Sequence, residues 1–464
     1  MNLKPLKINK IPKAPGLKKL IGPSFILLGL GLGSGEIILW PYLTSNFGMG
    51  IIWGAILGIT FQFFMNMEIE RYALINGESV FVGLARKFRL ISLWFLLSTF
   101  IPFVWPGIAA SSAVLFGTVF NIENTGNLSI IFLLIMGLIL TLGPILYKTV
   151  ETFQKTLIMI GVPTIFLLSL ILAKSSDWID LAKGVVGIGN GYMFLPEGIA
   201  IATFLAAFAY SGAGGNLNLA QAFYIREKGY GMGKYAGRIT SLITGKKEKV
   251  SLTGTTFEVN DNSIKVFKEW WKNINIEHFT VFLLTGAVTI VLLGLLSYST
   301  VFGIEGNEQS INFVINEGRV IGEILFPAVG IFFMLVASLA LFGTQLTVYD
   351  ATSRILTENT VITAYPKLNE NHIQKIYYLV LWIQIIGGVI IFLQGFTEPL
   401  QLLILAAVLN AFAMFVHSGL TLWLNLTSLA KPLRPSIYRI VFMLLAFLFY
   451  GGFSFYFIYD KFFL

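Results

Sequence analysis

The chain has 464 residues, of which 56% are hydrophobic and 12% are charged, and it contains no cysteine. A soluble protein cannot bury that much apolar surface, so the composition excludes a soluble domain and predicts an all-α polytopic membrane protein. The absence of cysteine excludes disulfides and thiolate chemistry. A net charge of +8 suggests nucleic acid only in a soluble protein, and we expect no nucleic-acid partner here.

Eleven apolar runs are long enough to cross the hydrocarbon core of a bilayer. In chain order, spans 1 to 11 lie at residues 21–46, 48–68, 90–120, 128–147, 156–173, 198–225, 279–303, 322–347, 376–396, 399–424 and 438–460. With the amino terminus inside, 28 of the 32 Lys and Arg residues lie in inner segments, as the positive-inside rule requires. The outer four are Lys174, Lys183, Arg319 and Lys461. The pattern predicts a plasma-membrane protein with a cytoplasmic amino terminus and an extracytoplasmic carboxyl terminus.

Span 1 contains the sequence GLGLGSGEIILW at residues 29–40, in which alternating glycines precede a glutamate. Glycine weakens a helix interior, and a carboxylate inside a membrane must be paired, protonated or bound to a cation. Glu36 is the acidic residue that we place deep within the apolar spans. We therefore expect a helix break at Gly31 and Gly35, with a functional role for Glu36.

Span 6 contains a second glycine cluster, FAYSGAGGNLNLAQ at residues 208–221, in which Gly212, Gly214 and Gly215 precede polar side chains. Spans 1 and 6 begin two groups of five spans with opposite orientation. Paired breaks at these positions predict an inverted-repeat transporter with a binding site near the membrane midplane. The expected organisation is an amino terminus (1–20), a first repeat (21–173), an outer loop (174–197), a second repeat (198–424) and a final segment with span 11 (425–464).

A long cytoplasmic loop at 227–277 separates spans 6 and 7. The alternation of apolar and polar residues over 250–259 predicts a small hairpin. Phe267, Trp270 and Trp271, with lysines between and beside them, suit an amphipathic helix lying on an anionic leaflet. We interpret the loop as a solvated linker with this interfacial anchor. Membrane lipid is therefore an expected partner.

Unwinding at the two breaks frees backbone oxygens that can bind a cation. The predicted ligands are the side chains of Glu36 and Asn216 and the backbone carbonyls of Leu30, Gly33, Tyr210 and Ala213. Three further polar residues are predicted to be accessory, namely Asn218, Gln221 and Asn410. We expect no resident cofactor apart from a transported divalent cation.

Three stretches carry a resemblance to a known family: Gly22-Pro23-Ser24-Phe25, Glu70-Arg71-Tyr72 through Asn76-Gly77-Glu78-Ser79, and Asn216-Leu217-Asn218-Leu219. Over spans 1 to 10 the chain resembles the natural resistance-associated macrophage protein (Nramp) family of divalent metal transporters. The resemblance implies a LeuT-type 5+5 inverted repeat with about eleven transmembrane helices, of which helices 1 and 6 are broken at mid-membrane.

The metal motifs of that family are changed in this chain. The aspartate-proline-glycine-asparagine of family helix 1 is matched by residues 33–36 (GSGE), and the methionine-proline-histidine of helix 6 by residues 213–215 (AGG). The remaining oxygen ligands favour a hard cation such as Mg²⁺ or Mn²⁺. Proton-coupled members of that family resemble one another in acidic residues on helix 3 and arginines on helix 9. Span 3 of this chain has no acidic residue and span 9 has no arginine, so we expect weak or no proton coupling.

The predicted function is secondary transport of a divalent metal cation by alternating access, carried out by a monomer. The alternative is a LeuT-fold symporter of a small organic solute such as an amino acid or amine, in which Glu36 pairs with the amine. An enzyme is not expected, because the spans contain no cluster of His, Ser or acidic residues with catalytic spacing. A channel is also disfavoured, because one mid-span acid does not make a continuous polar path.

Overall fold

The computed structural model describes residues 3–17, 20, 22–143, 146–240 and 250–463, with side chains as far as residue 459. Ten helices within these residues are long and apolar enough to cross a membrane. An eleventh membrane helix, numbered α6 below, consists of two shorter halves, α6a and α6b. The helices are α1 (Pro23–Phe47), α2 (Met49–Asn76), α3 (Ile91–Phe120), α4 (Thr125–Leu142), α5 (Leu146–Leu172), α6a (Ile201–Ala209), α6b (Gln221–Lys228), α7 (Asp261–Val301), α8 (Pro327–Ala364), α9 (Glu370–Leu393), α10 (Pro399–Ser428) and α11 (Ile437–Phe463). The predicted all-α polytopic fold is confirmed.

Among the described residues, three shorter α-helices lie between the membrane helices. Val80–Lys87 follows α2, Ser175–Val185 follows α5, and Asn312–Ile324 precedes α8. The first of them begins with Ser79, whose hydroxyl accepts a hydrogen bond from the Val82 amide, a standard N-cap that satisfies an otherwise unpaired backbone donor.

Four membrane helices extend well beyond the predicted apolar spans. Helix α2 continues to Asn76, α5 begins at Leu146, α7 begins at Asp261 and α8 continues to Ala364. The added turns carry charged residues that are buried against other helices. Hydropathy marks only the apolar part of each helix, whereas tertiary packing stabilises the rest.

Helix α1 lies at the centre of the protein. In its most apolar 18-residue window 94% of the residues are buried, compared with 28% in α5 and 28% in α11. Because α1 is apolar on all sides, it needs neighbours all round. The residues of the predicted first break therefore lie inside the helix bundle, and α5 and α11 leave much of their apolar surface uncovered.

Helix α3 is interrupted at Trp105-Pro106, between Ile91–Phe103 and Gly107–Phe120. Proline lacks a backbone N–H and clashes with the preceding helical turn, which ends the helix before Pro106. This interruption was not predicted, although Pro106 was the available signal in the sequence.

The predicted amphipathic helix is present, but its placement on a lipid surface is wrong, because its aromatic residues contact protein. They belong to α7, and Trp270 donates a hydrogen bond of 2.7 Å from Nε1 to the Pro12 carbonyl. The ring of Trp271 lies 4.0 Å from the Arg71 guanidinium and 4.9 Å from that of Arg439. The buried side of this turn also includes Phe267. The amino-terminal segment and the ends of α2 and α11 cover the apolar face that we assigned to lipid.

The predicted hairpin over 250–259 is also wrong. Residues Thr255–Thr256 (β2) pair in parallel with Lys7–Ile8 (β1), and the Asn9 amide donates to the Thr256 carbonyl at 2.8 Å. The alternating pattern correctly indicated a strand, but the amino-terminal segment supplies its partner. The Gly254 amide donates to Glu78 Oε2 at 3.0 Å, which fixes the strand at the end of α2.

Some residues used to predict topology lie outside the described residues. They are Lys18, Lys19, Lys246, Lys247, Lys249 and the side chain of Lys461.

Candidate functional site

The break in α6 is present where the glycine cluster predicted it. Helix α6a ends at Ala209, residues 210–214 are not helical, and a short 3₁₀ helix, Gly215–Ala220, leads into α6b. Gly214 and Gly215 have φ angles of +75° and +55°. Glycine adopts these left-handed angles without the steric penalty of a side chain, so two of the three predicted break glycines have a direct conformational role.

Side chains from α2 and α10 satisfy the backbone groups of this break. Gln62 donates to the Ala209 carbonyl at 3.0 Å and accepts from the Gly214 amide at 3.1 Å. His417 Nε2 lies 3.0 Å from the Gly215 carbonyl oxygen and donates to it. Irregular backbone within a membrane requires such partners. Gln62 was not predicted as a site residue, because in the sequence it is only a polar residue within span 2.

Asn410, predicted as an accessory residue, also lies at the break. Its Nδ2 donates to the Tyr210 hydroxyl at 2.9 Å, and a Cβ added to Gly215 would overlap its side chain. Asn410 therefore occupies the space beside Gly215 that a larger residue would need.

Helix α1 differs from the prediction, because its glycine segment remains wound. Residues Leu32–Leu39 form a π-helix, in which the Trp40 amide donates to the Gly35 carbonyl five residues earlier. Within 29–40 no residue has a positive φ. The physical reason is packing: glycine in a membrane helix allows another backbone to approach closely, and that is its role here. Wide π turns are frequent at functional sites.

The π-helical segment of α1 and the break of α6 are in direct contact. A Cβ added to Gly31 would lie 2.7 Å from the carbonyl oxygen of Gly212, and one added to Gly35 would overlap the carbonyl oxygen of Tyr210. The two glycine clusters that the sequence paired are therefore adjacent in the structure, and their glycines permit this approach.

Glu36 is fully buried in the π-helical segment, and neither carboxylate oxygen has a hydrogen-bond partner among the described residues. Its Oε1 faces α7 at Gly286, where an added Cβ would be 3.7 Å away. The methyl groups of Leu28 on α1 and Ile59 on α2 lie beside Gly286 at the same position. An unpaired carboxyl group in an apolar environment is unfavourable unless a proton or a cation neutralises it.

Asn216 was expected to face the gap beside Glu36, but its amide faces α3 instead. Nδ2 donates to Ser98 Oγ at 2.8 Å and to Thr99 Oγ1 at 2.9 Å, while Oδ1 has no partner among the described residues. Glu36 and Asn216 thus lie on different sides of the α1–α6 contact, and the structure does not bring these two predicted ligands together.

The remaining predicted ligands are backbone carbonyls at the same contact. The carbonyl groups of Tyr210 and Ala213 accept no hydrogen bond from the described residues. Gly33 packs on Thr344 of α8, whose hydroxyl donates to the Gly29 carbonyl at 2.8 Å. Leu30 is buried in the last α-helical turn before the π segment.

The last two accessory residues, Asn218 and Gln221, lie on α6b and the turn before it. Gln221 donates to Glu70 Oε1 on α2 at 2.6 Å, and neither polar atom of the Asn218 amide has a partner among the described residues. Glu70 is fully buried and lies 3.3 Å from His278 Nδ1 of α7. Glu70 was not predicted as a site residue, because it follows the apolar run of span 2 on a helix that continues to Asn76.

The described residues contain no group of three or more His, Asp or Glu side chains arranged to hold a metal ion. A cation at this site would therefore depend on carbonyl and amide oxygens together with a carboxylate. Such ligands suit hard cations, which prefer oxygen.

The arrangement of an interrupted α6 against a π-distorted α1, within an eleven-helix bundle, defines a LeuT-type transporter fold. Solved structures of other proteins confirm this fold class, whereas comparisons of sequence find no match. No protein-family model matches the chain, and no curated protein matches it in sequence.

Solved structures match over nearly the whole chain. The manganese transporter of Eremococcus coleocola, solved as a mutant, has a TM-score of 0.70 and 14% sequence identity, covering 97% of this chain and 90% of that chain. A nucleobase-cation-symport-1 family transporter, Mhp1, with bromovinylhydantoin bound, has a TM-score of 0.52 and 12% identity, covering 99% and 96%. MhsT in complex with L-phenylalanine also has a TM-score of 0.52, with 13% identity, covering 95% and 98%. The chain shares the fold of these proteins, and the predicted Nramp-like, LeuT-type fold is confirmed.

Proposed function

We propose that the protein is a secondary transporter that moves a divalent metal cation across the membrane by alternating access. The observation that carries the proposal is the unpaired, fully buried carboxylate of Glu36 beside the α1–α6 contact. In transporters with discontinuous helices, substrate and ion sites lie at such contacts. The likeness in fold to a manganese transporter, at a TM-score of 0.70, supports a metal ion as the cargo.

The proposed mechanism begins when α1 and α6 separate. The carbonyl groups of Tyr210 and Ala213, which accept no hydrogen bond from the described residues, then join Glu36 as ligands. Asn216 stays outside this set, because its amide is bonded to Ser98 and Thr99 of α3. The left-handed glycines of the α6 break provide the backbone hinge, since hinge motions are absorbed by a few residues at element ends.

The ligand set favours Mg²⁺ or Mn²⁺, since carboxylate and carbonyl oxygens suit hard ions. We further propose weak or no proton coupling. His417, the histidine closest to the break, donates its Nε2 proton to the Gly215 carbonyl. Its contact supports a structural role in holding the break rather than a role in transferring protons.

The proposal includes the cellular setting. The charge distribution supports a plasma-membrane protein with its amino terminus in the cytoplasm and its carboxyl terminus outside. We propose a monomeric transporter that has no enzymatic activity, no nucleic-acid partner and no resident cofactor, with the transported cation as its substrate.

The test is uptake by the purified full-length chain in liposomes, with Mn²⁺, Mg²⁺, Ca²⁺ and Cd²⁺ in one panel and amino acids in another. We expect Mn²⁺ or Mg²⁺ uptake above that of protein-free liposomes, with little accompanying acidification. Uptake of an amino acid without any metal uptake would contradict the proposal and favour the organic-solute symporter. Calorimetry that showed Cd²⁺ binding far more tightly than Mn²⁺ would contradict the preference for a hard ion.

A further inference from the structure

Helices α2 and α6 run side by side in the same direction and are joined by hydrogen bonds at two levels. At the first level Gln62 on α2 holds Gly214 in the α6 break. At the second level Glu70 on α2 accepts the bond of 2.6 Å from Gln221 on α6b. Eight residues of α2 and seven of α6 separate these levels, which are about two helical turns apart.

An asparagine lies midway between the two levels on each helix. Asn66 is one turn from both bonded residues of α2, because residues spaced by four share one face of an α-helix. Asn218 occupies the corresponding position between the two bonded residues of α6. Asn218 lies in the 3₁₀ helix Gly215–Ala220, one 3₁₀ turn before Gln221, and this spacing predicts that both asparagines face the α2–α6 interface at the same height.

This interface contains several buried polar atoms without partners. Both polar atoms of Asn66 and of Asn218, together with Glu70 Oε2 and Gln221 Oε1, have no hydrogen-bond partner among the described residues. All four side chains have 0% exposure. Buried polar atoms are nearly always hydrogen-bonded, so this cluster of six atoms is suited to a polar or charged ligand.

We propose that Asn66, Glu70, Asn218 and Gln221 form a second cation site, which holds a hard divalent cation on its way between Glu36 and the amino-terminal side of the membrane. The proposal rests on the proposed transport of a divalent cation. Three amide oxygens and one carboxylate provide the oxygen ligands that hard cations prefer. A single negative charge binds such an ion weakly enough for release, as a transit site requires.

The position of α7 connects this site with Glu36. His278, Phe282 and Gly286 follow one another at intervals of four residues along α7, which is π-helical over Phe279–Leu284. Gly286 is beside Glu36, and His278 is 3.3 Å from Glu70. Phe282 lies between them, stacks on His278 with ring centroids 4.8 Å apart, and contacts Gly212. Its ring separates the two sites in this conformation.

Beyond Glu70, polar contacts continue to the start of α1. Ser24 Oγ lies 2.7 Å from His278 Nδ1 and donates to the carboxylate of Glu277, and Glu277 Oε1 accepts from the Gly22 amide at 3.5 Å. A cation that leaves Glu70 in this direction meets a second carboxylate, that of Glu277, before it reaches the start of α1.

The experiment measures Mn²⁺ binding by calorimetry and Mn²⁺ uptake in liposomes, using full-length variants. Glu70→Gln keeps the side-chain shape and removes the charge, and we expect uptake at least tenfold slower than wild type. Asn218→Asp adds a second carboxylate to the site, and we expect Mn²⁺ to bind at least tenfold more tightly. A gain in affinity cannot result from misfolding, so this variant decides the proposal even if Glu70→Gln folds poorly.

Two variants provide matched controls at buried positions away from the α2–α6 interface. Glu317→Gln makes the same change in a buried carboxyl on Asn312–Ile324, and Gln384→Glu adds a buried carboxylate on α9. We expect wild-type uptake from the first and wild-type affinity from the second. Wild-type uptake by Glu70→Gln together with unchanged affinity in Asn218→Asp would overturn the second site and leave the proposed function intact. No Mn²⁺ or Mg²⁺ uptake by the wild type would overturn both.

Discussion

Gly31 on α1 lies directly against the backbone of Gly212 in the α6 break, where an added Cβ would stand 2.7 Å from the Gly212 carbonyl oxygen. The π-distorted helix α1 and the interrupted helix α6 therefore meet backbone to backbone. Any side chain at this point must push α1 away from α6, so the contact links the packing of the bundle to the geometry of the proposed substrate site.

Gly31→Ala is expected to lower stability and to reduce Mn²⁺ uptake strongly. Overpacking in a well-packed interior costs about 1–3 kcal/mol, and the added methyl meets rigid backbone. The control is Gly161→Ala on α5, where the nearest atom to an added Cβ is 3.8 Å away. Thermal unfolding in detergent and liposome uptake measure both effects. A Gly31→Ala protein as stable and active as Gly161→Ala would show that the contact is not tight.

Gln62→Leu is expected to destabilise the break in α6. The substitution leaves the Ala209 carbonyl and the Gly214 amide without their partners, and an unpaired buried polar group costs about 1–3 kcal/mol. Gln62→Glu retains an acceptor for the Gly214 amide and should be less harmful. Gln394→Leu, at an exposed position at the end of α9, is the surface control. Equal melting temperatures for Gln62→Leu and Gln394→Leu would refute this role.

The sequence predicted the membrane class, the eleven helices and the position of the α6 break, because apolar length and glycine clusters are local features. It could not distinguish between the two uses of glycine. In α6, Gly214 and Gly215 adopt left-handed angles, whereas in α1 the glycines stay helical and provide close contact. That difference depends on the neighbouring backbone, which is not encoded within the segment itself.

The candidate site was only partly predictable for the same reason. Burial of Glu36 followed from its position within an apolar run. The direction of Asn216 toward α3 and the pairing of Glu70 with Gln221 depend on contacts between residues more than 100 positions apart. The aromatic face of α7 was assigned to lipid because periodicity shows that a face is apolar without showing what covers it.

Arg354→Met is expected to destabilise the protein strongly. Arg354 on α8 bonds to Asp350 at 2.9 Å and forms an ion pair with Glu227 at the end of α6b, and all three side chains are buried. Removing one member of a buried ionic group leaves uncompensated charge, at a cost of about 3–5 kcal/mol.

The control for Arg354→Met is Lys183→Met, which removes an exposed ion pair with Asp180 at 3.4 Å. Exposed pairs contribute about 0–1 kcal/mol, so this variant should unfold at the wild-type temperature. Denaturation of both variants in detergent provides the measurement. Similar unfolding temperatures for the two would mean that the network around Arg354 does not stabilise the fold.

Trp270→Phe is expected to loosen the amino-terminal segment. The change removes the hydrogen bond to the Pro12 carbonyl and leaves most of the apolar packing in place. Limited trypsin digestion should then cleave faster after Lys10 and Lys13. Trp423→Phe, at a residue with 44% exposure on α10, should leave cleavage unchanged. Unaltered digestion of Trp270→Phe would show that this bond does not hold the segment.

The most direct measurement of the central claim is Mn²⁺ uptake by Glu36→Gln in liposomes, beside the wild type and Glu317→Gln. Glu36→Gln keeps the shape of the side chain and removes the single carboxylate at the α1–α6 contact. We predict that its uptake falls at least a hundredfold, because the cation loses its charged ligand. Each factor of ten corresponds to roughly 1.4 kcal/mol of binding free energy. Glu317→Gln should transport at the wild-type rate. Unchanged Mn²⁺ uptake by Glu36→Gln would contradict the account and make Glu36 a structural residue.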